Sequence, residues 1–313
     1  METGATDTGS AETTTSHRMA VVIPCYNDGA FLLEALESLR EQEPHELVVV
    51  DDGSFEPDTL EILERLAAEG IHVHSQENAG LGPARMAGVR ATRSSIVHFL
   101  DSDDLLPPGT LTVLADALEQ HPEASVAWGH YRSFGVRDCL FPTAPELDPW
   151  RITFFDEIPG TCMVRRETIE AVGGWDDLGY EDWDFWMKVA EKGYTGVGVP
   201  VTTLLYREHP TPRLLASTLT SHDKHYELLR ERHATLFAAR PANRRASSSP
   251  ASLKLLWTAI DRLPLKHFRK RQILAAARYF VQREMSSDCY QGPFERLRGV
   301  VRRRLSGRPL PEA

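Results

Sequence analysis

Cysteine is scarce in this sequence: Cys25, Cys139, Cys162 and Cys289 are the only four among 313 residues. No two stand in a C-x-x-C pair, and their scatter offers no zinc-ligand spacing. They read as reduced thiols of a cytoplasmic protein. Long apolar runs are missing as well, and none approaches the roughly 18 residues of a membrane-spanning helix. Residues 1–17, rich in Thr, Ser, Gly and Glu, lack the apolar centre of a secretory signal and are expected to form a disordered lead-in. Three sequence signatures are also absent. The first predicted strand runs into PCYNDG at 24–29 rather than G-x-G-x-x-G, and neither G-x-x-x-x-G-K-[ST] nor G-x-S-x-G occurs. That removes a Rossmann dehydrogenase, a P-loop nucleotide hydrolase and the commonest α/β-hydrolase.

Positive charge is short overall. There are 35 Lys and Arg against 45 Asp and Glu, a net of −10, which argues against a general nucleic-acid binder. The deficit is uneven. Residues 241–313 hold 16 Lys and Arg against 5 Asp and Glu, leaving a net of −21 in residues 1–240. An acidic body therefore carries a basic tail. Hydrophobic residues make up 42% of the chain, enough for a sizeable core without disulfide or metal staples.

What is present is an alternation. Short apolar runs at 19–24, 47–50, 71–73, 96–100 and 126–131 predict strands, with helical periodicity between them. This pattern predicts an α/β domain with a mostly parallel sheet flanked by helices. In such sheets ligands bind beyond the carboxyl ends of the strands. Polar clusters at 24–28, 51–54 and 101–104 end three of these strands and should share one edge. Further on, a strand at 160–165, helices at 167–172 and 180–192, a strand at 203–206 and a long polar helix at 214–239 are expected. Residues 240–251 read as a linker, and 252–313 as a basic helical extension.

The clusters point to carboxylate chemistry. Asp101, Asp103 and Asp104 at one strand end need a counter-charge if they are desolvated. Hard oxygen donors suit Mg²⁺ or Mn²⁺ completed by water and phosphate oxygens; a solvated acidic turn is the bland alternative. A second acidic group, Glu181, Asp182 and Asp184, starts the helix at 180–192. One of these is a candidate general base, although an acidic helix N-terminus would look the same. Trp175, Trp183 and Trp186 flank this group. Trp186 is assigned to packing, and Trp175 and Trp183 stand evenly between packing and contact with a ligand.

Taken together, the ordered segments resemble an inverting family 2 glycosyltransferase of the GT-A fold. VVIPCYNDGAFLLEALESL (21–39), VVVDDGS (48–54), ENAGLGPARMAGVRAT (77–92), VHFLDSDDLLPPGTL (97–111), GGWDDLGYEDWDFWMKVAEKG (173–193) and YREH (206–209) carry the likeness. It covers residues 18–215, within an expected domain at 18–239 that divides into a nucleotide-binding half (18–131) and an acceptor half (132–239). The resemblance implies a nucleotide-sugar donor, most commonly a UDP-sugar, and Mn²⁺ or Mg²⁺. It places Pro24 and Tyr26 beside the base, Asp52 on the base edge, Arg85 on base or diphosphate, and Asp101 on ribose or donor. Asp103 would ligate the metal with His209 near it or the diphosphate, and Asp182 would be the catalytic base. Trp175 and Trp183, with Glu181 beside them, would be the candidates for contact with the acceptor sugar. Met86 stands where the family more often has Asn, and 210–212 depart from its glycine-rich continuation.

Two other functions fit parts of the pattern. A sugar-nucleotide nucleotidyltransferase shares the topology and a carboxylate metal site, but PCYNDG lacks the basic residues of its phosphate loop. A catalytically silent nucleotide-sugar-binding protein would need neither Asp103 nor Asp182. In the tail, Phe294, Leu297, Val300, Val301 and Leu305 form one stripe among arginines. This composition suits contact of 292–305 with an anionic membrane at the inner face, or packing on the acidic body.

Overall fold

The computed structural model describes residues 17–176, 179–210 and 215–282. Eight strands and eleven α-helices follow one another as β1 (Met19–Cys25), α1 (Gly29–Ser38), β2 (Glu46–Asp51), α2 (Pro57–Ala68), β3 (His72–Ser75), α3 (Leu81–Ala91), β4 (Ile96–Phe99), α4 (Thr110–Gln120), β5 (Ala124–Gly135), β6 (Cys139–Phe141), β7 (Met163–Arg165), α5 (Arg166–Val172), α6 (Glu181–Glu191), β8 (Thr195–Glu208), α7 (Leu215–Arg232), α8 (Ala234–Ala238), α9 (Arg240–Ala246), α10 (Ala251–Asp261) and α11 (His267–Gln282). They build one mixed sheet in the order β3-β2-β1-β4-β7-β5-β6, with β8 paired to β5. The first four strands are parallel. β7 is antiparallel to both β4 and β5, and β8 runs parallel to β5.

The pleat sorts the core into two layers. Met19, Val21 and Ile23 of β1 face Leu32 and Ala35 of α1, Leu63 and Leu66 of α2, and Leu111, Leu114 and Leu118 of α4. Val22 faces the other way, with Val48, Val97 and Phe99, toward α3, α5 and α6. The small face of α3 lets it lie close on β1: a methyl group at Gly88 would run into the Val22 side chain. Arg165 and Arg166 donate to the carbonyls of Leu118, Ala124, Ser94 and Val89, two of which lie in the last turns of α3 and α4, where carbonyls lack helical partners.

Several expected boundaries move. β8 begins at Thr195 rather than near 203, because Gly196 and Gly198, which read as loop residues, pass beneath the Trp128 ring, where a side chain would collide. The helix expected over 214–239 breaks at His233, whose ring spans Asp184 and Glu191 at 2.9 and 2.8 Å. The linker expected at 240–251 is instead α9 and a fastened turn. Arg240 donates to Thr153 O, Tyr226 Oη and Asp261, and Ser247 to Asp148.

The chain beyond it packs on the body. Trp257, Leu253 and Ile260 of α10 and Leu274 of α11 join Trp150, Phe154 and Phe155 in a third apolar cluster. The indole of Trp257 lies 5.2–5.4 Å from the rings of those three aromatic residues. The apolar stripe expected at 292–305 lies outside the described residues. Among the described residues no helix is long and apolar enough to cross a membrane, and Cys25, Cys139 and Cys162 are buried.

If α10 is part of one cooperative core, Trp257→Ala should lower the unfolding free energy in urea by about 3–5 kcal/mol, the usual cost of emptying a large aromatic site. A loss below about 0.5 kcal/mol, the scale of a surface substitution, would show that the docking contributes nothing.

Candidate active site

The carboxyl ends of β1, β2 and β4 form one edge of the sheet, and the three polar clusters meet there. Tyr26 is exposed and meets Phe55 edge to face at 6.1 Å, while Pro24 is buried within β1. Asn27 takes a left-handed conformation, φ 56°, which asparagine tolerates. Its Oδ1 accepts from the amides of Phe55 and Glu56 at 2.9 and 3.0 Å, so the loops after β1 and β2 are laced together.

Asp52 is turned inward. Its carboxylate accepts from Gln76 Nε2 at 2.7 Å and from the amides of Ala79 and Gly80 at 2.9 Å each. Both oxygens are thereby occupied by the loop that leads into α3, so Asp52 shapes this wall of the site rather than presenting a free carboxylate for a base edge.

Arg85 departs further from expectation. Its guanidinium is wholly buried and donates Nη1–H to Asp182 Oδ1 and Nη2–H to Asp101 Oδ1, the latter at 3.0 Å. Burial alone would lower its pKa, but Asp182 and then Asp101 outweigh that, and the guanidinium is held charged above its ordinary value. It has no exposed surface from which to grip a diphosphate. Trp175 explains the dryness. It is 3% exposed, stacks on Phe185 at 3.7 Å, meets Phe99 at 4.6 Å and lies under the Arg85 guanidinium at 5.8 Å. Trp183 is equally buried and donates Nε1–H to Ile152 O at 2.6 Å. Both indoles are core, and neither offers a face to an acceptor sugar. Trp186 packs as expected.

Asp182 stands in the first turn of α6, with Tyr180 preceding the helix. Its carboxylate lies over Gly160, where a Cβ would strike both oxygens. Glu181 shares this space: burial first, then the charge of Asp182, pushes its carboxyl above the usual range. Asp184 faces away. It is buried between Lys188, Arg232 and His233 at 2.9–3.0 Å and joins α6 to the region around α7 and α8. The three carboxylates of this segment thus divide their roles.

The turn after β4 is braced from β8. An antiparallel bridge joins Leu105 to Leu205. Arg207, two residues on, donates its amide to Asp104 Oδ1 at 2.9 Å, Nε–H to Asp103 O at 2.8 Å and Nη2–H to Glu34 at 2.9 Å. Its guanidinium is sandwiched between Phe31 and Phe134. Arg207 lies inside the YREH segment, two residues before His209, which follows the end of β8. His209 Nε2 meets Asp103 Oδ2 at 2.8 Å. Burial, together with Asp101 and Asp28, pushes the Asp103 carboxyl up, while the His209 hydrogen bond opposes this.

Whether these groups suit a divalent cation follows from that donor set. Asp103 and His209 converge on one point and stay partly exposed, and the surrounding carboxylates leave uncompensated negative charge. Among the described residues no cluster of three or more His, Cys, Asp or Glu side chains gathers to hold an ion. The pair therefore fits Mn²⁺ or Mg²⁺ that takes its remaining ligands from phosphate and water, and it does not fit an all-protein cage.

The chain is similar to known proteins in sequence and in fold. The uncharacterised glycosyltransferase EpsJ of Bacillus subtilis is 32% identical over 155 residues, 48% of this chain and 44% of EpsJ; the chain thus spans less than half of that relative. The fold is similar to that of TarS from S. aureus, solved with UDP-GlcNAc (TM-score 0.55, 22% identity, 84% of this chain and 73% of the other). It is also similar to the mannosyltransferase PcManGT of Pyrobaculum calidifontis, solved with GDP-Man and Mn2+ (TM-score 0.50, 21% identity, 87% and 89%). Residues 20–173 match the model of glycosyl transferase family 2, and with the mixed sheet described above this places the chain in that family, on a GT-A fold.

Proposed function

We propose that the protein is an inverting glycosyltransferase that moves a sugar from a nucleotide-sugar donor to an acceptor hydroxyl with the help of a divalent cation. The observation that carries this reading is the charge network at the end of β4: Arg85 bridges Asp101 and Asp182, and Asp103 pairs with His209 one residue beyond Ser102. A UDP-sugar is the donor we favour, on the likeness to TarS; the mannosyltransferase neighbour, with GDP-Man and Mn2+, supports the metal more than the base. The acceptor is a hydroxyl of a glycan, a lipid-linked saccharide or another small molecule.

Each residue then has a task. Tyr26 and Pro24 border the nucleotide base, with the Asp52-held loop as the facing wall. Asp101, fixed by Arg85, approaches the donor. Asp103 and His209 would hold the cation. Bound there, Mn²⁺ or Mg²⁺ supplies Lewis-acid stabilisation of the departing diphosphate. Asp182 accepts the acceptor's proton. Arg85 aims that carboxylate, leaving Oδ2 over Gly160 for the hydroxyl. With one base and a stabilised leaving group, no protein acid is required, and a single in-line displacement inverts the anomeric carbon.

Asp103→Ala should abolish Mn²⁺-dependent binding of UDP in calorimetry, and unchanged affinity would remove Asp103 from the cation site. Asp182→Asn should preserve UDP affinity but cut turnover by at least ~10²-fold, the scale of general-base loss; near-normal turnover would exclude it as the base. We further propose that 292–305 contacts anionic membrane. Deleting 292–313 should then reduce sedimentation with phosphatidylglycerol vesicles, and absence of binding by the full chain would refute the contact.

A further inference from the structure

A cleft of about 430 Å³ opens between α7 and the turn that joins α10 to α11. It is of the size that holds a small organic ligand, and it shares no lining residue with the sheet edge described above. Its walls sort by depth. Tyr226 and His267 are buried, 3% and 7% exposed, and their rings stack at 3.3 Å, so they form the inner wall. Arg230, Leu265 and Lys266 are exposed and form the mouth. The inner wall carries polar capacity that the fold leaves over. His267 Nδ1 meets His222 Nε2 at 2.8 Å, whereas His267 Nε2 is buried with no hydrogen-bond partner among the described residues. Buried polar atoms are normally paired, and one left over on the wall of a cleft is an atom that a ligand can satisfy.

The charges of the cleft favour an anion. Its three carboxylates already have partners. Asp223 Oδ1 accepts from the Phe268 amide at 2.9 Å. Glu227 accepts twice from Arg230 Nη1, at 3.0 and 3.1 Å. Asp261 accepts from Arg240 at 3.0 Å, with Lys270 Nζ 3.7 Å away. The cations at the mouth keep donors to spare. Arg230 uses one guanidinium nitrogen on Glu227, and the Lys266 side chain makes no hydrogen bond or ion pair among the described residues. Around them, residues 240–274 hold nine Lys and Arg against a single acid, Asp261, a local excess that draws anions although the whole chain is acidic. Leu263 and Leu265 flank Pro264 in the same turn and are 41% and 42% exposed, so apolar surface lies beside the cationic mouth.

We propose that this cleft binds a phosphate monoester. The phosphate oxygens accept from Arg230 and Lys266, an arrangement that suits the guanidinium fork and the ammonium alike. A monoester carries a charge of about −1.5 to −2 near pH 7 and three acceptor oxygens, more than a carboxylate could offer to two cations. Its organic part lies against Leu265, and the portion that reaches the inner wall satisfies His267 Nε2. Two sources present this chemistry: a soluble phosphorylated metabolite, or a lipid headgroup whose acyl chains rest on Leu263 and Leu265.

The full-length protein without UDP or Mn²⁺ serves for the test, so its outcome is separate from that of the donor site. Glycerol 3-phosphate is titrated in calorimetry beside glycerol, and sedimentation is measured with phosphatidylcholine vesicles with and without phosphatidic acid. At least one phosphate probe should bind, and its affinity should fall about tenfold in the Arg230→Ala, Lys266→Ala pair, the scale of one lost hydrogen bond to a charged group. Lys266 has no contact in the fold to lose, so Lys266→Ala alone should give part of that fall with an unchanged circular dichroism spectrum. The Arg262→Ala, Arg269→Ala pair removes the same charge at exposed positions outside the cleft and should leave binding near the wild-type level. Binding of glycerol 3-phosphate assigns a soluble ester. Binding confined to phosphatidic acid vesicles, and weakened further by Leu263→Ser, assigns a lipid headgroup. No binding of either phosphate probe, or an equal loss in both arginine-containing pairs, would overturn the cleft as a phosphate site.

Discussion

One buried cation organises the site. Arg85 is a full charge with no exposed surface, and such a group persists only where opposite charges and hydrogen bonds replace its water. The chain supplies those from two distant places, the turn after β4 and the first turn of α6. Satisfying Arg85 therefore brings Asp101 and Asp182 to one point. The Trp175–Phe185–Phe99 wall excludes water and makes each contact stronger than it would be at the surface. Both carboxylates are pre-aimed by a single rigid fork.

A second fastening keeps the turn after β4 in register with the same point. Arg207 reaches Asp103 through a carbonyl, Asp104 through a carboxylate and α1 through Glu34, while two aromatic rings cover its guanidinium. β8 thereby positions Asp103 from outside, and His209, two residues further on, arrives beside it without a separate support. The two arginines divide the work: one is sealed in and orients the proposed base, the other lies along the rim and orients the pair proposed to hold the cation.

The strand and helix alternation and the shared edge of the three polar clusters were legible in the amino-acid order, since each depends on local periodicity. Less legible were features set by partners far along the chain. Arg85 and Asp182 are 97 residues apart, and nothing near Arg85 marks it as buried. Asp52 belongs to a motif that reads as a binding edge, but its oxygens are taken up by the amides of the following loop. Trp175 and Trp183 had to be core once α6 folded back on the 150–158 segment, a fold whose aromatic, aperiodic sequence disguises it. Glycine-interrupted β8 looked like loop because its small residues serve the ring above them, not the strand.

Gly160 contributes no functional atom to the site, only the space in which the Asp182 carboxylate lies. Position 160 is consequently governed by steric volume: a methyl group there would displace the carboxylate although every reactive group in the chain was retained. Side-chain chemistry alone would rank such a residue as dispensable. The range of residues tolerated at 160 is instead set by where a neighbour's oxygens must be, and a survey of catalytic groups alone would miss it.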